Sequence, residues 1–370
     1  MFEDFLADAE PQSILIYGAL IIGLVYGAIA RASGFCFRSA LLEAADGQIG
    51  ARGGLQLRAW ALALGVALVG TQALGAAELV DFSEAMYVTS PILWGGMIVG
   101  GLAFGFGMIL TRGCAGRHLI LASGGNLRAF YVVIVLGIAA YMTMRGLIAI
   151  FRMELNAVSS LETETTTFAH AVSSLTGLEN PGLWIALGLA LPLGFLALRG
   201  LGSRVNLRVA GTLAGGLGIG LLVPLAWLVT GNLGFDDFDP QPVQALTFTG
   251  PVGDGLVFLM TYTGSSLNFG ITVVGGAIAG AVLVALAKRE FVLQGFEDPG
   301  QMLRYTLGGA LMGMGGVMAL GCTIGQGLSG LSTLSIGSAL SFAAITLGGL
   351  AGRAWLQRRR PTAVMPQAAE

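Results

Sequence analysis

Apolar residues run along this chain in blocks of about twenty, parted by short polar breaks. A helix that crosses roughly 30 Å of hydrocarbon needs about 17–25 such residues. Windows of that length fall at 14–30, 58–77, 91–111, 128–150, 182–198, 209–230, 267–287, 304–320 and 337–355. Shorter apolar pieces lie between them at 33–44, 114–125, 253–265 and 322–336, each broken by glycine. Pieces of that size read as re-entrant segments. The pattern predicts an all-α polytopic membrane protein with about nine transmembrane helices and about four short re-entrant helices. Helical crossing runs, in place of alternating ten-residue strands, exclude a β-barrel.

Composition strengthens this picture. Hydrophobic residues make up 55% and charged residues 11% of the chain, and the mean hydropathy is +0.79. Soluble domains carry about 25% charged residues, so most of this surface must meet lipid or other helices. The 59 glycines let helices approach closely and break where protein covers the backbone. The first ten residues are acidic, unlike the positive start of a cleavable signal peptide. The net charge of −2 gives no reason to expect a nucleic-acid partner.

Charge also sets an orientation. Arg and Lys concentrate in cytoplasmic loops. One set of breaks carries Arg52 and Arg58; Arg112, Arg117 and Arg128; Arg199, Arg204 and Arg208; Lys288, Arg289 and Arg304; and Arg353 with Arg358, Arg359 and Arg360. The alternating set is acidic: Glu3, Asp4, Asp8 and Glu10; Glu78, Asp81 and Glu84; Glu154, Glu162, Glu164 and Glu179; Asp236, Asp237, Asp239 and Asp254. The N-terminus is expected outside and the C-terminus in the cytoplasm. Arg145 and Arg152 fall on the wrong side, and Arg145 is read as snorkelling to the outer interface.

A repeat then stands out. Gly100 to Cys114 returns as Gly308 to Cys322 at one fixed offset, pairing Gly100/Gly308, Gly101/Gly309, Gly105/Gly313, Gly107/Gly315, Gly113/Gly321 and Cys114/Cys322. The charge pattern makes the two copies enter from opposite faces. This predicts an inverted pseudo-two-fold repeat, an arrangement that places substrate near the midplane between broken helices. The expected division of the single membrane domain, 1–370, is a first half at 14–150 and connecting helices and outer loops at 151–252. A second, inverted half follows at 253–355, with a cytoplasmic tail at 356–370.

The three cysteines are the candidate chemistry. Cys36, Cys114 and Cys322 form no C-x-x-C pair, and an odd count argues against a disulfide framework. His118 and His170 are too few and too scattered to build a metal site with them, and no cofactor is expected. A glycine precedes each cysteine by one or two residues: Gly34, Gly113 and Gly321. A half-helix starting just after such a break presents free N–H groups and a positive dipole end. Ala115, Gly116, Thr323 and Gly325 would supply that backbone. A thiol adds a weak S–H donor on a polarisable atom. Together they suit a soft, sulfur-bearing anion. The plainer alternative makes each cysteine a small apolar filler. Arg38 and Arg117 are candidate charges at the inner mouth. Arg117 and His118 also read as an ordinary cytoplasmic cap, the simpler reading, and Arg38 shares the ambiguity. The outer loops 155–181 and 231–252 are acidic and are read as structural cover.

At these residues the chain resembles the YeeE/YedE family of sulphur-transport membrane proteins. The resemblance rests on Ser33-Gly34-Phe35-Cys36-Phe37-Arg38, on Gly105-x-Gly107 leading to Gly113-Cys114-Ala115, and on Gly124-Gly125-Asn126-Leu127-Arg128. It rests also on Gly313-x-Gly315 leading to Gly321-Cys322-Thr323-Ile324-Gly325. It covers about 14 to 355. It implies an hourglass fold in a bacterial inner membrane and uptake of thiosulfate, with Cys36, Cys114 and Cys322 as relay thiols. It also implies a small cytoplasmic sulfur-carrier protein as a partner of some members. Competing readings are a membrane thiol enzyme (a sulfurtransferase or oxidoreductase), uptake of another sulfur or selenium compound, and a sensor or channel.

Overall fold

The computed structural model describes residues 10–47, 54–88, 90–163, 165–178, 180–199, 206–236 and 241–358. Glu3, Asp4, Asp8, Arg52, Glu164, Glu179, Arg204, Asp237, Asp239, Arg359 and Arg360 lie outside them, as does the tail beyond residue 358. The described residues are helical, with only isolated bridges between extended segments. In chain order the helices are α1 (Pro11–Ser33), α2 (Phe37–Ala45), α3 (Leu55–Ala76), α4 (Trp94–Leu110), α5 (Ala115–Ala122), α6 (Leu127–Met144) and α7 (Ile148–Val158). They continue as α8 (Phe168–Thr176), α9 (Pro181–Leu198), α10 (Leu207–Leu228), α11 (Thr249–Met260), α12 (Phe269–Ala287), α13 (Pro299–Met318) and α14 (Ile336–Arg358). A further short helix at 323–332 contains a π-helical turn, Gly325–Gly330.

All nine long apolar windows are helices, and all four short pieces hold short helices: α2, α5, α11 and 323–332. Among the described residues, eight helices are long and apolar enough to cross a membrane. The ninth long helix, α13, is not, because Gln301, Arg304 and Tyr305 sit in its first turns.

Local chemistry explains the boundaries. Asn126, Asn206, Asn268 and Asp298 each accept a hydrogen bond from the N–H three residues on, at 2.7–2.9 Å, and start α6, α10, α12 and α13. Such caps satisfy N–H groups that have no partner inside the helix. Helix α6 stops at Met144, so Arg145 lies just past the helix end, where its charge acts on Asp254 of α11. Arg152 turns back and donates to the carbonyls of Thr143 and Met144 at 3.0 and 3.3 Å. A cation on the last carbonyls of a helix is favourable, which accounts for that exception to the charge alternation.

Glycine contacts set how the long helices cross. A methyl group on Gly23 or Gly27 of α1 would strike the carbonyl oxygens of Val273 and Ala277 on α12, and Gly216 and Gly220 of α10 meet Ala59 and Ala63 on α3. Gly101 and Gly105 of α4 abut Ser341 and Ile345 on α14, and Gly309 and Gly313 of α13 abut Val132 and Leu136 on α6. Numbers rise together within each pair, so those helices run in the same sense. Helix α4 meets α13 in the opposite sense, since Gly100 faces Gly315 and Gly107 faces Gly308. These relative senses agree with the charge alternation. Small residues that let backbones touch are how membrane helices associate without a hydrophobic drive between them.

Segments between the helices pin the interior. Ile92 and Leu161 exchange hydrogen bonds at 2.9 Å, and Thr166 and Phe168 bond the main chain of Ile336 and Leu334. The predicted outer loop 231–252 is cover only in part. Residues 243–248 have no regular secondary structure and, apart from half-buried Gln244, are buried in the core, where the Leu246 carbonyl accepts from Ser329 Oγ at 2.7 Å.

Candidate functional site

Each cysteine is the N-cap of a short helix. The Cys36 carbonyl accepts from Ala40 N–H at 3.2 Å, that of Cys114 from His118 at 2.9 Å, and that of Cys322 from Gln326 at 2.8 Å. The thiols therefore stand at the positive ends of helices whose first N–H groups have no intrahelical partner. One of these groups, Gly325 N–H, donates to Cys322 Sγ at 3.4 Å. All three cysteines are free and buried.

The helix break lies two residues before each cysteine. Gly34, Arg112 and Leu320 hold φ of 68°, 64° and 56°, all left-handed. At Arg112 and Leu320 the preceding helix ends in a Schellman pair. Arg112 N–H bonds Ile109 O and Gly113 N–H bonds Met108 O; Leu320 N–H bonds Val317 O and Gly321 N–H bonds Gly316 O. The pair satisfies carbonyls left open at a helix end. Gly113 and Gly321 thus serve close packing instead of the break itself. A methyl group there would approach His118 Nε2 to 3.1 Å and Gln326 Cγ to 3.3 Å.

The breaks bring the three thiols into one region. Cys114 lies within electrostatic reach of both Cys36 and Cys322, and the Tyr26 hydroxyl within reach of all three. Thr323 stands beside the Cys114 thiol. A methyl on Gly116 would sit 3.0 Å from Tyr26 Oη and 3.2 Å from the Phe248 ring. One on Gly325 would sit 2.7 Å from Thr247 Oγ1 and 3.1 Å from Tyr87 Oη. Both half-helices thus begin against an aromatic hydroxyl and a residue of the buried 243–248 segment. Ala115 is buried at the start of α5.

Buried polar atoms without partners collect around Cys322. Tyr87 Oη, Thr249 Oγ1, Thr323 Oγ1, Gln326 Oε1 and Ser338 Oγ make no hydrogen bond of acceptable geometry. Native proteins leave few such groups, and each costs about 1–3 kcal/mol when unmet.

The predicted charges separate. Arg38 is the second residue of α2, half-buried and within reach of Cys36 and Arg112. Arg117 lies in α5 and acts on Tyr26 and on His118. His118 is buried at 2% exposure beside the Gly113 backbone, and its ring faces Tyr305 at 6.5 Å, so it does not stand out at a surface cap. Tyr26, Tyr87, Thr247 and Phe248 escaped sequence reasoning. Two lie in ordinary apolar or turn sequence, and two in what reads as an outer loop.

Residues 32–351 match a family of proteins described as Sulphur transport. A relative in Spirochaeta thermophila, called thiosulfate transporter TsuA, is 28% identical over 360 residues, covering 94% of this chain and all of that one. A relative of the same name in Escherichia coli K12 is 25% identical over 332 residues, covering 85% of this chain and 87% of that one. With its paired Gly-Cys breaks matched inside that family, this multi-pass membrane protein belongs to the sulphur-transport family.

Proposed function

We propose that the protein is a permease, not an enzyme, and that it takes up thiosulfate or a closely related sulfur anion. The observation that carries this is the convergence of Cys36, Cys114 and Cys322 as N-caps of buried half-helices, with Cys114 in reach of the other two. Two relatives named as thiosulfate transporters align along most of the chain. The half-helix ends draw an anion, and the thiols offer weak donors that release as readily as they bind. Each thiol hands the ion to the next by transient hydrogen bonds. Cys114 stands in the middle of that path. Its close packing favours passage without large domain motion.

The antiparallel crossing of α4 and α13 supports an inverted repeat. Helices α1 to α4 and α6 would correspond to α10 to α14, with α5 answering to 323–332. The second unit then starts at Leu207, ahead of position 253. Such a repeat narrows to an hourglass at the cysteines. The π turn fits it too: the offset between copies is 208 at Cys114/Cys322 and 209 at Asn126/Ser335, both of which begin a helix. A π turn absorbs one extra residue. The Arg- and Lys-bearing end faces the cytoplasm of a bacterial inner membrane, where a small sulfur-carrier protein would receive the ion.

The test is uptake of radiolabelled thiosulfate by cells with no other route for it. Expression of this protein should restore uptake, and Cys114→Ser or Cys322→Ser should abolish it while the protein remains in the membrane. Uptake at the parental rate in both variants would sink the relay.

A further inference from the structure

One end of the molecule holds a cavity of about 790 Å³ into which three arginines reach from three different elements. Arg38 comes from α2, Arg112 from the break before Cys114, and Arg304 from the second turn of α13. Leu307 and Trp355 form apolar wall.

Most acids at this end are engaged elsewhere: the Asp298 carboxylate beside Gly300 caps α13 by accepting from Gln301 N–H. Arg31 pairs with Glu290, Arg128 with Glu297 and Arg353 with Asp46. Those pairings occupy their carboxylates, and among the described residues none is paired with Arg38, Arg112 or Arg304. Arg38 Nε and Arg304 Nε are buried and lack any hydrogen-bond partner. Arg38 also lies close enough to Arg112 for the two charges to repel. Arg38 and Arg304 are half-buried and Arg112 is exposed; cations held partly out of water without counter-ions are costly, and an anion between them lowers that cost.

Two of the chamber's arginines stand close in sequence to the thiols. Arg38 is two residues after Cys36, and Arg112 two before Cys114. The donors differ in kind, however. Thiols are soft and weak donors, whereas guanidiniums are strong, fixed forks that match the oxygens of a tetrahedral oxyanion.

We propose that this chamber is a second anion site, which takes tetrahedral dianions by their oxygens and therefore binds sulfate as well as thiosulfate. Selection by sulfur occurs at the cysteines, and the chamber beyond them accepts whatever dianion is present. Sulfate on that side occupies the chamber and slows delivery of thiosulfate into it. The slowing rests on the transport reading; binding of sulfate does not.

Purified full-length protein in detergent, titrated calorimetrically with inorganic sulfate, tests the site. Sodium chloride at equal ionic strength is the reference, because nonspecific charge attraction is screened alike in both. Sulfate should bind at one saturable site that chloride does not occupy. Combined Arg38→Gln and Arg304→Gln should weaken it at least about tenfold, the loss expected for charged hydrogen bonds, and Arg304→Lys should weaken it less. Arg112→Gln changes an exposed side chain and provides the same test if the double variant misfolds, as judged by elution profile and unfolding midpoint. Sulfate no tighter than chloride, or unaltered binding in the folded variants, overturns the proposal. Sulfate binding that needs the arginines in a protein that moves no thiosulfate would overturn the transport reading and leave the chamber standing.

Discussion

Gly100 and Gly315 meet backbone to backbone where α4 crosses α13. A methyl group on Gly100 would lie 2.6 Å from the Gly315 carbonyl oxygen, and one on Gly315 would strike the Gly100 carbonyl in return. One helical stretch further on, Gly107 and Gly308 repeat the contact. In the sequence repeat Gly100 corresponds to Gly308 and Gly107 to Gly315. Gly100 therefore faces the repeat counterpart of Gly107, and Gly107 that of Gly100, the contact pattern the proposed two-fold repeat would give.

Gly100→Ala and Gly308→Ala should therefore cost similar amounts. A methyl forced into a backbone contact is overpacking, at about 1–3 kcal/mol. Both variants should lower the thermal unfolding midpoint in detergent by comparable steps. Gly188→Ala is the control, since nothing lies within 4 Å of the new methyl and alanine is the better helix former. An unchanged midpoint for Gly100→Ala would refute the crossing.

Gly34 is needed for its backbone, since a methyl there would touch only Gln56 Nε2 at 4.0 Å. Its φ of 68° is the left-handed value that ends α1 before Cys36. Gly34→Val should destabilise the protein by about 1–2 kcal/mol through strain alone. Gly34→Asn should cost less, because asparagine visits that region more readily. Equal midpoints for the two variants would contradict this account.

The long helices were legible in the sequence because lipid demands long apolar runs, and the short ones because glycine interrupts them. The matched glycines were legible as packing positions, because those such as Gly105 and Gly313 meet a neighbouring backbone and have no substitute. The break was legible only to within a residue or two. A left-handed backbone at Arg112 or Leu320 leaves no trace in residue type, and the eye settles on Gly113 and Gly321 beside them. The walls of the site were not legible. Tyr26 lies in a run of apolar residues, and Thr247 and Phe248 lie in a segment whose acidic start at Asp236 reads as a loop. Only the fold turns that segment inward.

The first turns of the half-helices should be the narrowest points for the ion. Gly116→Ala places a methyl 3.0 Å from Tyr26 Oη, a contact that modest shifts relieve. Thiosulfate uptake should fall severalfold while the unfolding midpoint changes little. Adding Tyr26→Phe removes the crowding atom and should recover part of the uptake. A double variant as slow as Gly116→Ala alone would show that width at Tyr26 is not the cause.

Tyr87 and Thr323 separate function from stability most sharply. Both are buried, at 5% and 0% exposure, and neither hydroxyl makes a hydrogen bond of good geometry, with Thr247 beside Tyr87 and Cys114 beside Thr323. A hydroxyl that met its needs within the fold would be missed on removal; one that meets none is a standing cost of about 1–3 kcal/mol. Tyr87→Phe and Thr323→Val retain most of the shape and delete only that atom. For the fold, each change should be neutral or stabilising. For the ion, each removes a donor beside Cys322 or Cys114. The expected outcome is an unfolding midpoint equal to or above that of the parent, with thiosulfate uptake reduced about tenfold, as befits loss of one hydrogen bond to a charge. Parental uptake in both variants would mean that these hydroxyls do not meet the ion. A lowered midpoint would mean that they hold the fold.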